Sequence, residues 1–163
     1  MSGTGIKEVS RTTPGVANDT TDLDQVGTTV IKDGKTYRYV LVEDMALAAN
    51  DVVSYSDATG TEVTQDRVDG ASISHDFAGV AVNTVADGNY TYVQVGGLAT
   101  CRVLQNTAVA AGDRVMLHAT DDGGVATYSA TTGSEDRSFG VALAADTATT
   151  TADGTVVVML DLK

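Results

Sequence analysis

Tryptophan is absent from this chain, and cysteine and proline occur once each, at Cys101 and Pro14. A single cysteine cannot form an intramolecular disulfide, so a disulfide-stapled scaffold is excluded. His75 and His118 are the only histidines, and no zinc-ligand spacing surrounds either. Aromatic residues make up only 5% of the chain. No apolar run approaches the ~20 residues that a membrane helix needs. The opening Met1-Ser2-Gly3-Thr4-Gly5 has no basic region followed by an apolar one, so no secretory signal is expected. Synthesis in a cytoplasm, with export by another route if at all, is the expectation. Basic side chains are scarce: 10 against 22 acidic ones, a net charge of −12. Such a field repels phosphates, and nucleic acid is not an expected partner.

What the chain does contain is enough to fold. At 163 residues it can bury roughly 70% of its unfolded surface without a metal or disulfide staple. The apolar share is 42%. With so few aromatics the core must be built from Val, Ala and Leu, which suits many short, closely packed strands.

Residues 1–30 differ from the rest. Gly3, Gly5, Pro14, Gly15 and Gly27 are spaced among Ser, Thr and Asp, and the apolar residues follow neither a helical nor a strand period. Such a segment buries too little to offset its ordering entropy alone. It reads as an extended N-terminal arm that orders on a partner. Ile6, Val9 and Val16 would be its apolar anchors, with Lys7 and Arg11 meeting carboxylates.

From residue 31 the chain reads as an all-β domain to residue 163, a barrel or sandwich of short antiparallel strands. Lys32-Asp33-Gly34-Lys35 lies between Thr29–Ile31 and Thr36–Val42, and Asp-Gly between β-prone runs signals a hairpin. Further strands are expected at 51–55, 77–83, 90–95, 101–104, 114–118, 124–128, 139–144 and 156–162. Met45–Ala49 has room for one helical turn.

The sequence also repeats itself. Ala46–Val53 resembles Ala108–Val115 at an offset of 62, and Tyr39–Asp44 lies over Cys101–Asn106 at the same offset. Gly79-Val80-Ala81-Val82 matches Gly140-Val141-Ala142-Leu143, and Asp87-Gly88 with its strand matches Asp153-Gly154 with its own. Two duplicated modules, about 37–98 and 99–163, closing one core are the expectation. In the recurring Ala-Asn/Gly-Asp, a Gly or Asn tolerates positive φ and the Asp can bond a backbone N–H two residues on. Gly79 and Gly140 point to close backbone approach at equivalent places.

Catalytic chemistry is poorly supplied. Ser72, Ser74, His75 and Asp76 lie together, but strand neighbours point to opposite faces, so adjacency makes no triad. Asp19, Asp22 and Asp24 lack the EF-hand spacing and its bidentate Glu. Tyr37, Tyr39, Tyr90 and Tyr92 could line a sugar groove, yet their period of two favours packing on a sheet face. No phosphate-binding or dinucleotide loop is present. No catalytic residue, cofactor or metal is therefore expected, and Cys101 reads as a small buried hydrophobe.

Three runs carry a resemblance: Ala-Ala-Gly-Asp-Arg-Val at 110–115, Phe-Gly-Val-Ala-Leu at 139–143, and Asp-Gly-Thr-Val-Val-Val-Met-Leu at 153–160. Over about residues 40–163 the chain resembles the small capsid decoration (cement) proteins of tailed bacteriophages. The resemblance implies a small barrel and no enzyme activity. It implies homo-oligomers, often trimers, seated on the major capsid protein at the outer surface of the virion, after synthesis in the bacterial host cytoplasm. Another virion surface piece, such as a fibre or spike base or a carbohydrate-binding module, is the alternative.

Overall fold

Thr36–Val42 is rich in β-branched and aromatic residues, a composition that fits a pleated, half-buried surface. In the computed structural model, which describes residues 13–15, 17–66, 76–118, 121–128 and 138–161, this run lies within the strand Lys35–Val42. Ten strands follow one another: β1 Thr29–Lys32, β2 Lys35–Val42, β3 Val52–Tyr55, β4 Glu62–Thr64, β5 Phe77–Ala81, β6 Tyr90–Val103, β7 Arg114–Leu117, β8 Val125–Thr127, β9 Gly140–Ala142 and β10 Gly154–Leu160. Among the described residues there is no helix. Met45–Ala49 instead carries a bridge from Leu47 to Val85 and a turn into β3. The β1–β2 hairpin turns at Asp33 and Gly34 with φ of 51° and 73°, both positive as a two-residue type I′ turn requires.

The strands close into two circuits. β2, β4, β3, β5 and β6 form the first, and pairing of β6 back to β2 closes it. β6, β10, β9, β7 and β8 form the second, closed by the parallel pair Val103 and Val125. The second circuit repeats the first pairing for pairing, with one parallel contact in each, β2 with β4 and β6 with β8. β6 belongs to both, so residues 98 and 99 lie inside one continuous strand. Val40, Val42, Val53, Val63 and Val93 fill the first barrel. Cys101, Val103, Val115, Val125 and Val158 fill the second.

These interiors correct the offset read in the sequence. Val53 and Val115 are equivalent at 62, because each pairs with the glycine of β5 or β9. For β2 the offset is 61. Val42 and Val103 pair with Val63 and Val125, and Val40 matches Cys101. A slip of one residue exchanges the inner and outer faces of a strand, so only the shorter offset puts apolar side chains inside both barrels.

The barrels are joined by an apolar seam. Phe77 and Phe139 stack with centroids 4.1 Å apart and planes 8° from parallel. Val52 and Val80, from the first barrel, pack into the core of the second. Two backbone bonds cross the junction, from Arg102 N–H to the Asn50 carbonyl and from Val52 N–H to the Gly123 carbonyl, both 2.9 Å.

The turn between β3 and β4 is organised by one carboxylate. Asp57 accepts the N–H groups of Thr59, Thr61 and Glu62 at 3.0–3.1 Å, together with the hydroxyls of Thr59 and Thr61. Partial burial opposes its ionisation, but these donors outweigh it and bring its pKa down to about 2. Its unfolded value is near 3.8, so the stabilisation is complete above about pH 4 and lost as pH falls towards 2. Asp57→Asn should therefore lower the urea midpoint at pH 7, and the two proteins should converge near pH 2. A gap that stays constant across that range would show that the carboxylate charge contributes nothing.

Candidate functional site

Residues 17–28 lie across the outer face of the first barrel. Backbone bonds join Asp19 to Tyr90 in both directions, at 2.9 and 2.7 Å, and Gly27 N–H reaches the Tyr39 carbonyl at 2.7 Å. Beneath the segment Tyr39 and Tyr92 are fully buried, with ring centroids 4.9 Å apart and Ala17 against them. Their hydroxyls donate to Asp19 and Asp24, at 3.0 and 2.8 Å. Burial, and next the Asp19 carboxylate, push the Tyr39 phenol well above its ordinary pKa. These tyrosines pack a sheet face, and two of the three aspartates considered for calcium are engaged in satisfying them. Among the described residues no three His, Cys, Asp or Glu side chains converge on a metal-holding position. Of the segment read as an extended arm, the part from Ala17 onward is therefore docked on the barrel. Ile6, Lys7, Val9, Arg11 and Val16 lie outside the described residues, as do Ser72, Ser74 and His75.

Among the described residues, the junction between the barrels holds the main charge cluster. Asp51 closes the turn into β3, accepting Ala48 N–H at 2.7 Å, while Asn50 takes φ of 76°. Asp113 does the same before β7, accepting Ala110 N–H at 2.9 Å with Gly112 at φ 90°. In each turn the Asp reaches back three residues, rather than two residues forward. The two differ in their surroundings. Asp113 is partly exposed, whereas the second barrel covers Asp51, whose side chain is 1% exposed. Arg102 answers it, with Nη1 at 3.2 Å from Asp51 and Nη2 at 2.6 Å from Asp153. Sequence reading missed this triad because its members lie 51 positions apart along the chain.

An open cleft of about 810 Å3 adjoins the triad, with Met45 and Gln65 on one side and Arg102, His118, Asp121 and Asp153 on the other. His118 Nδ1 lies 3.2 Å from both the backbone N–H and the carboxylate of Asp121. Among the described residues no Ser, Cys or Lys lines this cleft. Cys101 is fully buried in the second barrel, and burial pushes its thiol up to about 12. It packs as a small hydrophobe and is not a nucleophile.

A third feature is the outer face of the second barrel. Leu98, Met159 and Val141 stand in one cross-strand row, and Thr100 and Val157 in the next. Leu143, Leu98, Met159 and Val157 are 52, 44, 42 and 40% exposed.

The chain is similar to the crystal structure of head fiber gp8.5 N base in bacteriophage phi29, with a TM-score of 0.51. The likeness is one of fold. Identity is 18%, over 79% of this chain and 96% of that one. No family model and no curated protein matches the sequence.

Proposed function

We propose that this protein is a structural component of a tailed-phage virion, seated on the outer surface of the head. There it acts as a decoration (cement) protein that steadies contacts between coat subunits. The observation that carries this reading is the fold shared with a head fibre base over nearly all of that base. Two closed barrels joined by an apolar seam supply a rigid block, and the acidic surface suits dense display without aggregation. The same comparison favours a second reading, in which the block is the base of a head fibre.

Adding the purified chain to heads of its parent phage that lack it separates these readings. A cement protein binds the heads and raises the temperature at which they release DNA. A fibre base binds in the same way and leaves that temperature unchanged. Heads that take up no protein would overturn both.

A further inference from the structure

The two barrels are treated unequally at one place. In the first barrel the outer positions Tyr39 and Tyr92 are paired across β2 and β6, and residues 17–28 cover them completely. Strand pairing makes Thr100 and Val157 their equivalents in the second barrel. Tyr37 and Gln94 likewise correspond to Leu98 and Met159. No described segment of the chain covers this second face, and four of its apolar side chains are at least 40% exposed.

We propose that residues 1–12 of a second copy of the chain cover this face, so that copies are linked by exchanged N-terminal segments. The covering of the first barrel shows what such a face accepts: the chain's own N-terminal segment, laid across the sheet. The twelve preceding residues bring Ile6 and Val9 for the apolar rows and Lys7 and Arg11 for the acidic rim. Asp161 supplies that rim, exposed two residues beyond Met159 on β10's outer side.

The donor is a second copy because of the direction in which residues 19–27 run. From Gly27 beside Tyr39 to Asp19 beside Tyr90, the segment advances along β6 away from the second barrel. Tyr90 is ten strand residues from Thr100, about 33 Å. Val9 is ten residues from Asp19, a reach of at most ~33–36 Å. Leu98, the near row of the face, is eight strand residues from Tyr90, about 26 Å, so within one chain Val9 would have to turn back and run along the ground that residues 17–28 already occupy. A neighbouring copy has no such tether.

Sedimentation velocity tests this with three forms: the full chain, the chain without residues 1–12, and the double variant Val157→Lys with Met159→Lys. Circular dichroism melts confirm that each is folded. The full chain should associate, and either lesion alone should weaken association by about tenfold or more, as expected for lost burial of one Val or Met side chain. The truncated chain keeps the face and the Lys variant keeps the segment, so mixing the two should restore a mixed oligomer. A monomeric full chain, association that survives truncation, or a mixture that fails to complement would each overturn the proposal. A truncated chain that keeps its oligomeric state but no longer binds heads would assign the segment to the coat protein instead.

Discussion

Replacing Arg102 with alanine is expected to destabilise the protein by about 3 kcal/mol at neutral pH, the lower end of what breaking a buried pair costs. The lower end applies because the Arg102 side chain is 34% exposed, so water can partly replace it, while the Asp51 side chain is 1% exposed. Burial already holds the Asp51 carboxyl above its ordinary pKa, against the pull of Ala48 N–H and the guanidinium. An acid with a raised folded pKa disfavours the fold increasingly as pH rises through the interval between its unfolded and folded values. Removing Arg102 widens that interval. The deficit measured by urea unfolding should therefore be largest at neutral pH and shrink on acidification, as Asp51 becomes protonated in the folded variant.

Adding Asp51→Asn to the Arg102→Ala protein should recover part of the loss, because the charge left unanswered is then gone. Asp113→Asn serves as the internal control. It sits in the same turn, partly exposed, with the Thr127 hydroxyl at 3.2 Å and no barrel over it, and it should cost under about 1 kcal/mol. A deficit in the Arg102 variant that does not change with pH would show that lost packing, not stranded charge, is responsible.

The contrast between Asp51 and Asp113 also shows where sequence reasoning ends. Ala-Asn-Asp and Ala-Gly-Asp announce the same turn, and both turns form with positive φ where Asn50 and Gly112 allow it. Only tertiary placement makes one carboxylate buried and the other wet. Most strands were legible because Val, Thr and Tyr alternate between turn residues. β4 was not, since Glu62-Val63-Thr64 is too short and too polar to show a period. β6 read as two strands, 90–95 and 101–104, with 96–100 between them, yet it runs unbroken from Tyr90 to Val103. Gly97 is required there: a Cβ would lie 2.7 Å from the Gly34 carbonyl oxygen, where the β1–β2 hairpin tip presses on the strand. Gly97 lies in the stretch between the two expected strands, where β6 passes from the first barrel to the second. The tyrosine face was legible as packing, but not the segment that covers it, because residues 17–28 have no period of their own.

Gly140→Ala should cost about 3 kcal/mol, the upper end for forcing a methyl group into a packed core, and Gly79→Ala about 1–2 kcal/mol. The two glycines are equivalent by pairing, Gly79 opposite Val53 and Gly140 opposite Val115. What differs is the obstacle. A Cβ on Gly79 would meet the Val93 side chain, at 2.6 and 2.8 Å, with the nearest backbone atom, the Gln94 oxygen, at 3.2 Å. The methyl Cγ2, at 2.6 Å, can turn aside at the cost of an unfavourable rotamer, whereas the Val93 Cβ, at 2.8 Å, moves only with the β6 backbone. A Cβ on Gly140 would lie 2.5 Å from the Met159 carbonyl oxygen and 2.6 Å from Val158. That carbonyl belongs to β10, which is paired to β9 on one side and β6 on the other, so it cannot withdraw without disturbing both ladders. Double-mutant cycles with the neighbouring valines separate the two cases. Gly79→Ala should couple to Val93→Ala by more than about 1 kcal/mol, since trimming the valine removes the nearer contact, Cγ2 at 2.6 Å, and leaves only the Cβ at 2.8 Å. Gly140→Ala should couple only weakly to Val158→Ala, because the carbonyl stays where it is. Equal coupling at both sites would mean that β10 yields as readily as a valine side chain, and that the second barrel is held less tightly than its pairing requires.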